Sequence, residues 1–192
     1  MNHDSYSDVY ILRILDSIRT IAMVGASDLW NRPSYFAMKY LLGKGYRVIP
    51  VNPGLAGKEL LGRKIYGKLS DIPEPVDMVD IFRGAKYAVP IVQEALAMSP
   101  RPRVIWMQLT VRNDEAAALA EANGMKVVMD RCPKIEYGRL SSEIGWIGVN
   151  SRTLSSKRAQ GYGKGVQRMS LNRATFSGGA FARVATDDGK PG

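Results

Sequence analysis

Five short apolar runs, each ending at a glycine, proline or polar turn, alternate along this chain with amphipathic stretches about a dozen residues long. The runs are Ile21–Val24, Tyr46–Val51, Val76–Phe82, Arg103–Leu109 and Met125–Asp130. Ile21–Val24 is apolar throughout and the others are mainly apolar rather than alternating, so they read as buried parallel strands. Consecutive buried strands joined by helices require right-handed crossovers and a parallel sheet covered on both sides. The expected fold is therefore α/β, a doubly wound parallel sheet of about five strands over residues 21–149.

The helical stretches carry start and stop signals. Residues 7–18 place Val9, Leu12 and Leu15 on one face, with Ile11, Ile14 and Ile18 beside it and Ser7 or Asp8 as N-cap. Residues 34–44 form a helix behind Pro33, with Phe36, Tyr40 and Leu41 inward and Gly43 and Gly45 as stops. Residues 86–98 turn Val89, Val92 and Leu96 inward, with Pro90 tolerable only in the first turn. Asn113 or Asp114 caps an Ala-rich helix over 114–123, and a short helix starts near Pro133. Residues 55–75 read as a connection with a short extended segment at Ile65-Tyr66.

Charge divides the chain unevenly. Eight Lys/Arg and two Asp give residues 151–192 a net +6, out of +9 for the 192 residues. Residues 1–150 are thus expected to be the folded domain and 151–192 a basic, Ser/Gly-rich extension, partly ordered or disordered. A basic extension can bind nucleic acid or acidic surfaces. No apolar run reaches the ~20 residues that span a bilayer, so no membrane partner is expected. The N-terminus shows neither the basic nor the apolar region of a secretory signal. Cys132 is the single cysteine, which excludes an intrachain disulfide and suits a reducing, cytoplasmic setting. The single histidine, His3, leaves no ligand spacing for zinc and little scope for histidine acid–base chemistry.

In such a sheet, ligands bind beyond the carboxyl ends of the strands, where the winding direction reverses. The loops 25–33, 52–58, 82–86, 108–113 and 130–134 all lie there. In the first, Gly25 allows a tight turn, Ala26 and Ser27 let backbone N–H groups approach an anion, Ser27 adds a hydroxyl, and Arg32 a charged fork. A bare strand–helix turn with no ligand is the competing reading. One glycine, and Asn52 where an acid would hold ribose, depart from the dinucleotide fingerprint. Lys58 and Arg63 suit an additional phosphate near the ribose, as in coenzyme A or NADP. Phe82 is either core or a cover for a thin alkyl arm. Gln108 either caps its own loop or bonds an amide-rich arm. Arg131, Lys134 and a helix N-terminus could lower the pKa of Cys132 and permit a mixed disulfide with a thiol ligand; an inert buried thiol is the alternative. Glu136 and Asp130 show no partner for acid–base work.

Val24-Gly25-Ala26-Ser27, Arg32-Pro33-Ser34, Gly45 to Pro53, Val79 to Arg83, Val104 to Leu109 and Met129 to Glu136 occur in order, and together they resemble the small stand-alone CoA-binding proteins. Those are related to the CoA-binding domain of succinyl-CoA synthetase and of ADP-forming acyl-CoA synthetases. The resemblance covers residues 10–145. It implies a Rossmann-like fold and coenzyme A, or an acyl-CoA, as the ligand. It also implies contacts from Gly25, Ala26, Ser27, Arg32, Asn52, Pro53, Lys58, Phe82, Arg83 and Gln108. The synthetases need a phosphorylatable histidine from another domain, and that activity is not carried over. The expectation is a binding module without chemistry of its own, a carrier, sensor or partner subunit, with a homodimer open. The rivals are a synthetase-type ligase subunit acting with other chains, a nucleotide-responsive nucleic-acid-binding protein, and an NADP oxidoreductase.

Overall fold

Parallel pairing of five strands in the order β2-β1-β5-β6-β7 builds the sheet. The structure, a computed structural model, describes residues 2–141. In chain order the elements are α1 (Asp8–Ser17), β1 (Thr20–Val24), α2 (Pro33–Gly43), β2 (Arg47–Val51), β3 (Glu59–Leu60), β4 (Arg63–Lys64), β5 (Met78–Ile81), α3 (Ala88–Leu96), β6 (Val104–Met107), α4 (Asp114–Ala122), β7 (Lys126–Val128) and α5 (Pro133–Leu140). This is a Rossmann-like, doubly wound arrangement. Winding runs outward from β1 to β2 on one side and from β5 through β6 to β7 on the other, so the reversal lies between β1 and β5.

Alternate strand residues feed two cores. Ala22, Val24, Val79, Ile81, Ile105 and Met107 meet Ile91, Val92, Ala116 and Ala120 of α3 and α4. Ile21, Met23, Met78, Val104 and Trp106 meet Ile11, Ile14, Met38, Leu41 and Leu140 of α1, α2 and α5. Helix signals act as expected. The Ser7 side chain accepts from Tyr10 N–H, Pro90 falls in the first turn of α3, and Asn113 accepts from Ala116 N–H.

Two inward faces differ from expectation. Helix α2 buries Ser34, Ala37, Met38 and Leu41, whereas Phe36 is 45% exposed and Tyr40 half-buried. The buried set repeats at i, i+3, i+4 and i+7, and its small members let the helix lie close to the sheet. In α1 the buried stripe is Ile11, Ile14, Leu15 and Ile18, and Val9 is exposed. The 55–75 connection holds a further element. β3 and β4 pair antiparallel around Leu61 and Gly62, both at positive φ, and Tyr66 bridges in parallel to Val51.

The outer edge of β7 is covered by tyrosines. Tyr6 Oη accepts Met129 N–H at 2.8 Å, and Tyr10 Oη donates to Val127 O at 3.2 Å. Among the described residues no helix is long and apolar enough to cross a membrane. The 151–192 extension, with its basic residues and the nucleic-acid reading built on them, lies outside the described residues, as does the expected boundary at 150.

Candidate functional site

Gly25 leaves β1 at the winding reversal with φ +90°, a conformation that side chains rarely adopt. A β-carbon built on it meets Phe82 O at 2.7 Å and Arg83 Cδ at 2.8 Å. The turn thus nests against the end of β5, where Phe82 N–H donates to Val24 O at 2.8 Å. Only glycine satisfies both demands, and this brings the first and third expected loops into contact.

The rest of the first loop is fixed by its own side chains. Ser27 N–H donates to Ser34 Oγ (3.1 Å), and Ser27 Oγ accepts Leu29 N–H (3.2 Å). The expectation that Ser27 N–H faces an anion is corrected: that group bonds within the loop, and the hydroxyl proton of Ser27 is what it can offer. Ala26 is fully buried. Helix α2 begins at Arg32 without a side-chain cap, and Arg32 is exposed beside its positive end.

Asn52 joins the second loop to the first. Its Nδ2 donates to Ala26 O at 2.7 Å and its Oδ1 accepts Gly54 N–H at 3.0 Å. The amide expected to meet a ribose or adenine edge therefore clamps two loops together. Pro53 opens the short helical turn that follows, and its ring is exposed. Lys58 is held by its backbone, donating to Leu55 O and accepting from Ile65 N–H, with its side chain exposed.

At the end of β6, Gln108 is buried and its Nε2 donates to both carboxyl oxygens of Asp80, at 2.9 and 3.2 Å. Asp80 is fully buried on β5, and burial pushes its pKa up to about 8 against the Gln108 bond. It lies level with Met23 on β1 and Trp106 on β6. The apolar pattern of Val76–Phe82 conceals it; the available signal is that a carboxyl on a strand covered on both faces needs a buried partner. Ser34 is the other participant not singled out from sequence.

The outer loops are interlocked. Thr110 N–H donates to Asp130 Oδ1 at 2.8 Å and Asp130 N–H to Val111 O at 3.1 Å. Both Thr110 and Asp130 sit at positive φ, an uncommon cost for residues other than glycine. Asp130 thus holds loop geometry. Glu136 is buried against Arg139 (2.7 Å) and Arg131 (3.8 Å). Burial raises the Cys132 thiol pKa, aided by Asp80, and outweighs the backbone bonds of Ile135 and Lys134. The expected net lowering by Arg131 and Lys134 does not occur, and Cys132 is a buried thiol with a raised pKa.

Arg47, Arg103, Arg112, Arg131 and Arg139 each pair with a carboxylate. Among the described residues Arg32, Lys58 and Arg83 form no ion pair, although Arg83 lies 4.8 Å over the Tyr87 ring. Three loops at the carboxyl edge therefore each offer a cation with no carboxylate partner. Among the described residues no cluster of His, Cys, Asp and Glu could hold a metal ion.

The chain is similar in sequence and in fold to known proteins. YneT, an uncharacterized protein of Bacillus subtilis (strain 168), is 36% identical over 131 residues, covering 68% of this chain and 94% of that one. A hypothetical protein from Pyrococcus horikoshii OT3 superposes with a TM-score of 0.67 at 38% identity, over 73% of this chain and 96% of that one. The alpha subunit of ADP-forming acetate–CoA ligase I from Pyrococcus furiosus is 33% identical over 87 residues, 43% of this chain and 19% of that subunit. The model of the CoA binding domain matches residues 19–138, and the chain belongs to that family.

Proposed function

We propose that this protein binds coenzyme A, or an acyl-CoA, across the carboxyl edge of its sheet and performs no chemistry of its own. The diphosphate lies against the Gly25–Ser27 turn and the start of α2, where Ser27 Oγ and Arg32 reach it. Lys58 takes the additional phosphate near the ribose. The pantetheine arm runs past Phe82 and Arg83 to Gln108. Asn52, Pro53 and Ala26 shape the cleft through the loop clamp. The observation that carries this reading is the set of three uncompensated cations, Arg32, Lys58 and Arg83, on three loops meeting at the winding reversal. Phosphate-rich ligands supply the missing charge. A cytoplasmic carrier, sensor or partner role fits such a module.

Calorimetric titration with CoA, acetyl-CoA, NAD and NADP tests the proposal. CoA and acetyl-CoA bind, and the two dinucleotides bind far more weakly; preference for a dinucleotide overturns it. The similarity to a ligase subunit supports a second reading, a ligase component that works with other chains. That reading requires acyl-CoA formation to appear on addition of the partner chains and not without them.

A further inference from the structure

The Asp80–Gln108 pair bears on which ligand atoms the site accepts, given the CoA reading above. An amide side chain can present either a donor or an acceptor, and its partner decides which. Here Gln108 Nε2 is bonded to both oxygens of Asp80. Among the described residues Gln108 Oε1 accepts no hydrogen bond. Among the described residues no buried side-chain nitrogen or oxygen lacks a partner, so Oε1 must be reached by solvent. It therefore stands as an acceptor at the carboxyl end of β6, beside the winding reversal.

We propose that Asp80 is a positioning and specificity-determining residue: by holding Gln108 Nε2 it presents Gln108 Oε1 to the cleft, where it accepts an amide N–H of the pantetheine arm. Coenzyme A carries two such amides along that arm, and the dinucleotides have no counterpart there. Asp80 touches no ligand and acts only through Gln108.

The pair is sensitive to protonation. An ionised Asp80 only accepts, which fixes the amide as described. A protonated Asp80 can donate to Oε1 and turn the amide over. Met23 and Trp106 flank Asp80 in register, and among the described residues the Cys132 thiol feels its charge. The nearby charges of Arg131 and Glu136 pair with each other. With its pKa near 8, Asp80 changes state within an accessible range.

The test compares acetyl-CoA with 3′-phosphoadenosine 5′-diphosphate, the same nucleotide without the arm, on the full chain. At pH 9, where Asp80 is ionised, Asp80→Asn and Gln108→Met each weaken acetyl-CoA about five- to tenfold and leave the armless nucleotide within about twofold. Asp80→Asn adds nothing further in the Gln108→Met background. In the wild type, the preference for acetyl-CoA over the armless nucleotide grows from pH 6 to pH 9, and Gln108→Met abolishes that growth. This last comparison stands even if Asp80→Asn does not fold. Equal weakening of both ligands by Asp80→Asn, unchanged acetyl-CoA affinity, or a flat preference across pH overturns the inference. If the wild type binds neither ligand, the CoA reading falls first and this inference with it.

Discussion

At the residue scale, Ser27 and Asp80 each have a partner within the protein that decides what a substitution does. Ser27 Oγ accepts Leu29 N–H, and an aspartate there can accept the same bond, so Ser27→Asp keeps the loop while placing a negative charge where the proposed phosphates lie. Thermal unfolding of Ser27→Asp stays close to wild type, and CoA affinity drops by on the order of a hundredfold or more in calorimetry. Asp80 gives a pH signature of stability. Its folded pKa of about 8 exceeds the unfolded value of 3.8, so the folded state holds the proton more tightly. This contribution is fully present below about pH 4, declines as pH rises to about 8, and is gone above that. Urea denaturation of the wild type at a series of pH values shows this decline, and Asp80→Asn flattens it.

At the element scale, the start and stop signals of the helices were plain in the sequence because each depends on a few neighbouring residues. Ser7, Pro33, Pro90 and Asn113 stand where the local chemistry requires them. The β3–β4 hairpin was not legible, since two-residue strands carry no periodicity, and its turn uses Leu61 at positive φ where Gly or Asn is the usual signal. The inward face of α2 differs from the sequence pattern at Phe36, because contact with the sheet favours the smaller Ser34 and Ala37. The tyrosine cover of β7 was hidden for another reason. Tyr6 lies 123 residues from Met129 in sequence, so no local pattern reports their bond. Tyr6→Phe removes the acceptor for Met129 N–H. It costs about 1 kcal/mol, and hydrogen exchange at the Met129 amide quickens by roughly tenfold.

At the scale of the whole molecule, the winding order placed the site before any side chain was considered, and the loops that carry it follow from topology. What topology could not disclose is which polar groups are already satisfied. Asn52 and Ser27 N–H looked available in the sequence but bond within the protein, and Gln108 proved to be paired with Asp80. A ligand that binds only the folded chain shifts its unfolding. At a concentration about 100 times its dissociation constant, CoA adds roughly 2.7 kcal/mol. Scanning calorimetry then shows the melting temperature rising by about 5–10 °C, with no rise in equimolar NAD. The loop clamp made by Asn52 and Ser34 has a kinetic consequence. Loops already bonded to one another leave little to rearrange on encounter, so, on the proposed function, stopped-flow association of CoA proceeds in one exponential phase whose rate climbs linearly with ligand concentration, without a plateau.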